Sequence, residues 1–126
     1  ISDHHDCKHQ PAPYFRKKFS VDKPVRSARI YVAVAGLYQL HLNGRRLGDT
    51  MLDPVYTRFD RRNMYVTYDV TSAIKQNENV VGIVLGNGWY NHQPLAVWNF
   101  ETAPWRNRPA FCMDLHLTYE DGSATM

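Results

Sequence analysis

The chain has 126 residues, a hydrophobic fraction of 44%, an aromatic fraction of 13% and a formal net charge of +3. That length suits one domain with one core, and an aromatic-rich composition belongs to a folded protein rather than a disordered one. The lysines and arginines are scattered, without the basic face a nucleic-acid partner requires. No apolar run approaches the ~18 residues needed to span a bilayer, so neither nucleic acid nor a membrane span is expected.

Residues 1–12 read as an N-terminal arm, with no visible signal peptide. They hold His4, His5, Cys7 and His9 ahead of Pro11. His and Cys are the usual zinc ligands, but this spacing matches no standard zinc pattern, and four ligands on so short a stretch would strain the geometry. No metal is expected there. Two cysteines, Cys7 and Cys112, are too few for a disulfide scaffold. An oxidising compartment would let them pair; two unpaired thiols are the other arrangement.

Residues 14–20 read as a first strand at a sheet edge. Phe15 and Phe19 share a face, and Lys17 and Lys18 discourage unwanted pairing. Residues 21–24, ending in Pro24, form a turn. Residues 28–35 alternate, with Ile30, Val32 and Val34 on the core side, which is the pattern of a half-buried strand. Gly36 interrupts the alternation. It resumes over 37–42 with Tyr38, Leu40 and Leu42 inward and Gln39 and His41 outward. Asn43-Gly44 is the strongest hairpin signal in the chain, because both central residues of a type I′ turn need positive φ. A short return strand over 45–47 ends at Gly48.

Residues 49–62 form a loop containing Asp53-Pro54, Tyr56, Phe59 and Asp60. Residues 64–70 alternate again, with Met64, Val66, Tyr68 and Val70 on one face. A single helical turn follows over 71–75, with Asp69 or Thr71 available as its N-cap, and 77–79 read as a turn. Residues 80–85 are apolar on both faces, the mark of a central strand buried on both sides. Residues 111–119 give the longest alternation: Phe111, Met113, Leu115, Leu117 and Tyr119 inward, Cys112, Asp114, His116 and Thr118 outward. Asp121-Gly122 is a second hairpin signal, and a return strand is expected after it. A chain cut there from a longer protein would present an unpaired edge, which invites strand exchange. About seven strands with almost no helix predict an all-β fold, an antiparallel β-sandwich or jelly roll, spanning residues 13–126.

Residues 85–109 have no clean period of 2 or 3.6, yet they hold all three tryptophans. A structureless segment of that length is usually functional, and its aromatic content argues for an ordered loop. Gly86 and Gly88 let the chain turn sharply at a strand end and bring Trp89 and Tyr90 outward. Trp, Tyr and Arg are enriched at protein contacts, so Trp89, Tyr90, Trp98, Trp105 and Arg106 suit packing on a neighbouring domain. Flat aromatics also suit the C–H faces of pyranose rings, while Asn91, His92, Asn99 and Glu101 can pair with hydroxyls. Closure of the core by one or two of Trp89, Trp98 and Trp105 is the other arrangement.

Hydrolysis is not expected of this chain alone. Inverting glycoside hydrolysis needs a general acid and base roughly 6.5–9.5 Å apart. Asp53 precedes a proline and reads as a turn residue, Asp60 sits beside arginines as a surface ion pair, and Glu101 is the lone carboxylate of the aromatic loop. No Ser-His-Asp order, phosphate-binding glycine loop or H-E-x-x-H signature appears. Calcium needs six to eight oxygen ligands, and no carboxylate-dense loop offers them. No cofactor is expected.

Leu42-Asn43-Gly44-Arg45-Arg46-Leu47-Gly48 is similar to the hairpin of galactose-binding-like jelly rolls at the front of large glycosidases. A narrower match is carried by Pro13-Tyr14-Phe15-Arg16-Lys17, Leu52-Asp53-Pro54, Leu85-Gly86-Asn87-Gly88-Trp89-Tyr90-Asn91 and Trp105-Arg106-Asn107-Arg108-Pro109. Together these resemble the N-terminal β-sandwich domain of bacterial alpha-L-rhamnosidases over residues 13–122. The resemblance implies a non-catalytic accessory domain of a glycoside hydrolase. In that family a separate helical (α/α) catalytic domain supplies the acidic residues, inverts configuration and removes terminal L-rhamnose, and many members are secreted or periplasmic. The implied partners are that catalytic domain and L-rhamnose-containing glycans. The alternative is a stand-alone, lectin-like module for rhamnose- or galactose-containing glycans.

Overall fold

The computed structural model describes residue 7, residues 10–95 and residues 97–126. The expectations placed on His4, His5 and His9 lie outside the described residues. Among the described residues eight strands make two four-stranded sheets: β1 (Tyr14–Val21), β2 (Val25–Ala35), β3 (Leu37–Leu42), β4 (Arg45–Arg46), β5 (Tyr65–Asp69), β6 (Asn77–Gly86), β7 (Ala110–Tyr119) and β8 (Ala124–Thr125). One sheet has the order β1-β6-β3-β4 and the other β5-β2-β7-β8. Every pairing is antiparallel, as expected for the sandwich.

Alternation explains the core. Ile30, Val32 and Val34 of β2 face Tyr38, Leu40 and Leu42 of β3 across the sheets, joined by Val81, Ile83 and Leu85 of β6, and all are buried. Each fully buried aliphatic side chain contributes about 1.5–3 kcal/mol. The register keeps the faces aligned: Leu40 lies opposite Ile83, and Ile30 lies opposite both Tyr68 and Leu115. Directly opposed residues of antiparallel strands share a face.

Gly36 alone separates β2 from β3, so the chain passes from one sheet to the other at a single residue. Its φ is +121°, and a Cβ there would lie 2.5 Å from the carbonyl oxygen of Gly86. Only glycine tolerates that backbone at that distance. The hairpin at Asn43-Gly44 forms with φ values of 51° and 82°, the left-handed pair the turn demands.

Several boundaries differ from the sequence expectation. β5 begins at Tyr65 rather than Met64, and β4 is only two residues long. Residues 77–79 belong to β6 instead of forming a turn, with Asn77 at φ 69° absorbing the irregularity. The helical turn is a 3₁₀ turn at Thr71–Ala73, and Val70 occupies its N-cap position. Asp69 still serves the turn from one residue back, accepting the Thr71 N–H at 3.0 Å. The larger correction concerns β6. It is central in its sheet, but only the face bearing Val81, Ile83 and Leu85 is buried; Val80, Gly82 and Val84 are half-exposed, because no layer among the described residues covers that side. Cys7 and Cys112 are both free thiols, Cys7 buried and Cys112 exposed.

The connections divide between the two ends of the sandwich. Hairpins and the 3₁₀ turn at Thr71–Ala73 occupy one end. The loops 49–62 and 87–109 occupy the other, together with the entry to β1 and the crossing at Gly36.

Candidate functional site

The aromatic end is built from β6 outward. After Gly86 the chain turns through Asn87 and Gly88, the latter at φ +50° with a would-be Cβ 3.0 Å from the Leu37 side chain. The Asn91 N–H closes this turn on the Asn87 carbonyl at 3.1 Å. Asn91 is 2% exposed. Its amide donates to Asn87 Oδ1 at 3.1 Å, and its Oδ1 accepts from Arg106 Nε at 3.1 Å and from Gln93 Nε2 at 3.0 Å.

Arg106 ties the two ends of the loop together. Its Nη1 donates to the Glu101 carbonyl at 2.9 Å and its Nη2 to the Cys7 carbonyl at 3.2 Å. Gln93 Nε2 also donates to Cys7 O, at 2.9 Å. A rigid guanidinium fork can serve three acceptors at once, so Asn91 and Arg106 act inside the loop as its frame. A short 3₁₀ turn at Phe100–Thr102, entered through Asn99 at φ 52°, places Phe100 over the frame.

Above the frame lies a continuous set of rings. Phe100 contacts Trp89 (5.3 Å between centroids), Trp98 (5.9 Å), Trp105 (6.3 Å), His92 (6.3 Å) and Tyr56 (5.8 Å). Trp89 stacks on His92 at 5.0 Å. From the second loop, Tyr56 packs on Phe59, which meets Tyr90 at 5.0 Å. Tyr56, Trp89, Trp98 and Phe100 line an open cleft of about 400 Å³. In the same loop Leu95 is 89% exposed, Val97 91% and Trp98 69%.

The residues singled out from the sequence therefore divide. Trp89 and Trp98 are exposed at the cleft, and His92 backs Trp89. Tyr90 is half-buried against Phe59 rather than fully outward, and its phenol is shifted up by burial, then by nearby Cys7. Glu101 and Trp105 are partly buried, and Glu101 Oε2 and Trp105 Nε1 are both enclosed without a hydrogen-bond partner. Gly86 and Gly88 set the turn. Asp60 forms the surface ion pair, with Arg58 Nε at 2.8 Å. Asp53 accepts from the Thr50 hydroxyl and precedes a cis peptide bond to Pro54. Sequence reasoning did not single out Tyr56, Phe100 or Gln93 as site residues. Tyr56 is 44 positions from Phe100 in the chain, and no local pattern signals that meeting. Among the described residues no group of three or more His, Cys, Asp or Glu is placed to hold a metal ion, and no helix is long and apolar enough to cross a membrane.

The sandwich, its Gly-Asn-Gly-Trp turn and the returning Trp-Arg segment can be set beside known proteins. The model of the alpha-L-rhamnosidase N-terminal domain family matches residues 23–126. The chain belongs to that family. An alpha-L-rhamnosidase of Formosa agariphila is 35% identical over 123 residues, covering 89% of this chain and 12% of that protein. One of Streptomyces avermitilis is 38% identical over 102 residues, covering 81% and 10%. Among solved structures, the alpha-L-rhamnosidase of Aspergillus terreus superposes with a TM-score of 0.80 at 34% identity, covering 89% of this chain and 13% of that one. The Streptomyces avermitilis enzyme, solved in complex with L-rhamnose, gives 0.78 at 34% identity, covering 89% and 11%. The chain thus spans about 12% of the length of the curated relatives it matches. This alpha-L-rhamnosidase N-terminal domain is the β-sandwich that its quoted motifs resemble.

Proposed function

We propose that this chain serves as a non-catalytic accessory sandwich of an alpha-L-rhamnosidase, and that its aromatic end packs on the helical catalytic domain of the parent enzyme. The observation that carries this reading is the cleft of Tyr56, Trp89, Trp98 and Phe100, with Leu95 and Val97 exposed in the same loop. Soluble proteins rarely leave a contiguous apolar patch of more than a few hundred Å² uncovered unless it is an interaction site. The polar side chains of the loop's frame are engaged internally: Gln93 and Arg106 both donate to Asn91 Oδ1 and to the Cys7 carbonyl. Glu101 stands as a single carboxylate in the loop, whereas inverting hydrolysis needs two. Cleavage of the L-rhamnoside then belongs to the catalytic domain.

The test is to produce this chain and the remainder of its parent enzyme as separate polypeptides and to measure their association by calorimetry. The double substitution Trp89→Ala, Trp98→Ala is expected to weaken association at least tenfold. Equal affinity of the double variant would sink the docking reading.

A second reading, direct contact with carbohydrate, is favoured by one feature. Trp89 and Trp98 line an open cleft whose volume of about 400 Å³ lies within the range of small-molecule sites. Titration of L-rhamnose to millimolar concentration separates the readings. A shift of tryptophan fluorescence that Trp98→Ala abolishes supports sugar contact, and a flat response removes it.

A further inference from the structure

The outer face of the β1-β6-β3 sheet carries a notch. Along β6 the inward residues Val81, Ile83 and Leu85 are buried, and Val80, Gly82 and Val84 point the other way. Gly82 stands at the centre of that face, with Arg16 opposite it on β1 and His41 opposite it on β3. Opposed residues share a face, so these two side chains stand on either side of a position that has none. Adjacent strands run about 4.8 Å apart, which sets the Arg16 and His41 backbones roughly 10 Å from one another. Val80 and Val84 close the notch along the strand. Together with Tyr14 and Gly44 these residues line a shallow cleft of about 380 Å³.

The fold does not ask for glycine at this position. A Cβ on Gly82 would meet only the Phe15 carbonyl oxygen, at an ordinary 3.6 Å, and its φ lies outside the left-handed region. Gly36 and Gly88, by contrast, have positive φ, and a Cβ on them would meet neighbours at 2.5 Å and 3.0 Å. Glycine inside a strand weakens it and often marks a place where a ligand or another backbone approaches closely. No described residue uses the space above Gly82, so the group that uses it comes from outside.

Charge narrows what that group is. The outward positions of β1, β6 and β3 carry Arg16, Lys18 and His41 against one carboxylate, Glu78, and Lys18 already binds Glu78 at 3.0 Å. Among the described residues the side chains of Arg16 and His41 have no hydrogen bond or ion pair. The rest of the notch is apolar with a polar rim. Val80 and Val84 are half-exposed, and Tyr14, 77% exposed, lies opposite Val84 on one side with Gln39 on the other.

We propose that this notch binds a sugar that carries a carboxylate, a uronate. The carboxylate lies over Gly82 between Arg16 and His41, where the guanidinium supplies charge-assisted hydrogen bonds. An aliphatic face of the ring covers Val84 beside Tyr14, and ring hydroxyls reach the Tyr14 phenol and the Gln39 amide. A neutral sugar leaves the two cations unmatched, and a small carboxylate leaves the apolar floor uncovered. The notch shares no lining residue with the cleft of Tyr56, Trp89, Trp98 and Phe100, so it is independent of docking at the aromatic end.

Backbone amide NMR of the chain tests this, with sodium D-glucuronate and sodium D-galacturonate titrated at constant pH and ionic strength. At least one of them is expected to give saturating shifts at Arg16, His41 and Gly82 with millimolar affinity. D-glucose and sodium acetate are expected to bind at least tenfold more weakly. Gly82→Ala, for which the fold has room, is expected to weaken uronate binding at least tenfold, and Arg16→Gln at least fivefold, with the amides of β2 and β7 unmoved. If Gly82→Ala disturbs those amides, Arg16→Gln, which replaces an exposed side chain, decides alone. No shift at tens of millimolar of either uronate overturns the proposal. Equal binding of acetate makes the notch a plain anion contact, and equal binding of glucose removes the role of charge; either overturns it. Full affinity in both variants places the sugar elsewhere and overturns it as well. Shifts with a hexaglutamate peptide but with neither uronate assign the face to an acidic protein segment and also overturn it.

Discussion

Arg106 donates from Nε to Oδ1 of the buried Asn91 at 3.1 Å, joining the start of the aromatic loop to its return. The same guanidinium reaches the Cys7 carbonyl at 3.2 Å, so three distant segments meet at one side chain. Asn91→Ala removes the acceptor of Arg106 Nε and one of the acceptors of Gln93 Nε2. A buried group left unsatisfied costs about 1–3 kcal/mol. The expected loss is about 2 kcal/mol in urea unfolding, with a red shift of tryptophan emission as the rings above the frame loosen.

Phe100 touches five other aromatic rings, whereas Trp98 lies at the outer lip of the cleft. Phe100→Ala is expected to cost about 2–4 kcal/mol, near the range for removing a packed ring. Trp98→Ala is expected to change stability by less than about 1 kcal/mol, since exposed substitutions do little. Denaturant midpoints of the two variants check the contrast. Equal losses would mean that Trp98 belongs to the folded core.

Gly36 and Gly44 both have positive φ, but their surroundings differ. A Cβ on Gly36 meets the Gly86 carbonyl at 2.5 Å, while a Cβ on Gly44 has nothing within 4 Å. Gly44→Ala is expected to cost about 1 kcal/mol, the conformational penalty alone. Gly36→Ala adds a backbone clash and is expected to cost at least about 3 kcal/mol or to prevent folding. Thermal unfolding of the two variants in parallel measures the difference.

Acid should weaken the end opposite the aromatic loops. The Thr71 N–H, then its hydroxyl, hold the Asp69 carboxyl below the ordinary carboxylate range. Lys23, then Ser123, hold Asp121 well below it, and the same contact raises Lys23. Both carboxyls are lowered in the folded state. Their stabilisation is therefore fully present above the ordinary carboxylate pKa of about 4 and is lost as pH falls through the lower folded values. The urea midpoint is expected to decline from about pH 5 downward, and Asp69→Asn with Asp121→Asn to flatten that decline.

The strands were legible because their signal is local. Ile30, Val32 and Val34 alternate with polar or small residues in the sequence and are buried in the fold. β6 misled for the same reason. Val80 and Val84 are as apolar as Val81 and Ile83, but burial on the second side depends on a layer that alternation cannot reveal. At the aromatic end, composition pointed to residues 85–109 and to Trp89 and Trp98. Nothing in the chain marked Tyr56 as their neighbour or gave Asn91 and Arg106 to one another.

Taken alone, the sequence determined which side of each strand is apolar, where the Asn43-Gly44 hairpin turns and which family the motifs resemble. These depend on alternation, on φ preference and on residues close together in the chain. The tertiary structure decided which sheet each strand joins, that Gly36 is the crossing between them, and that Phe100 rather than a tryptophan is the hub of the aromatic end. Those features rest on contacts between segments far apart in sequence, whose geometry is set only when the two sheets pack.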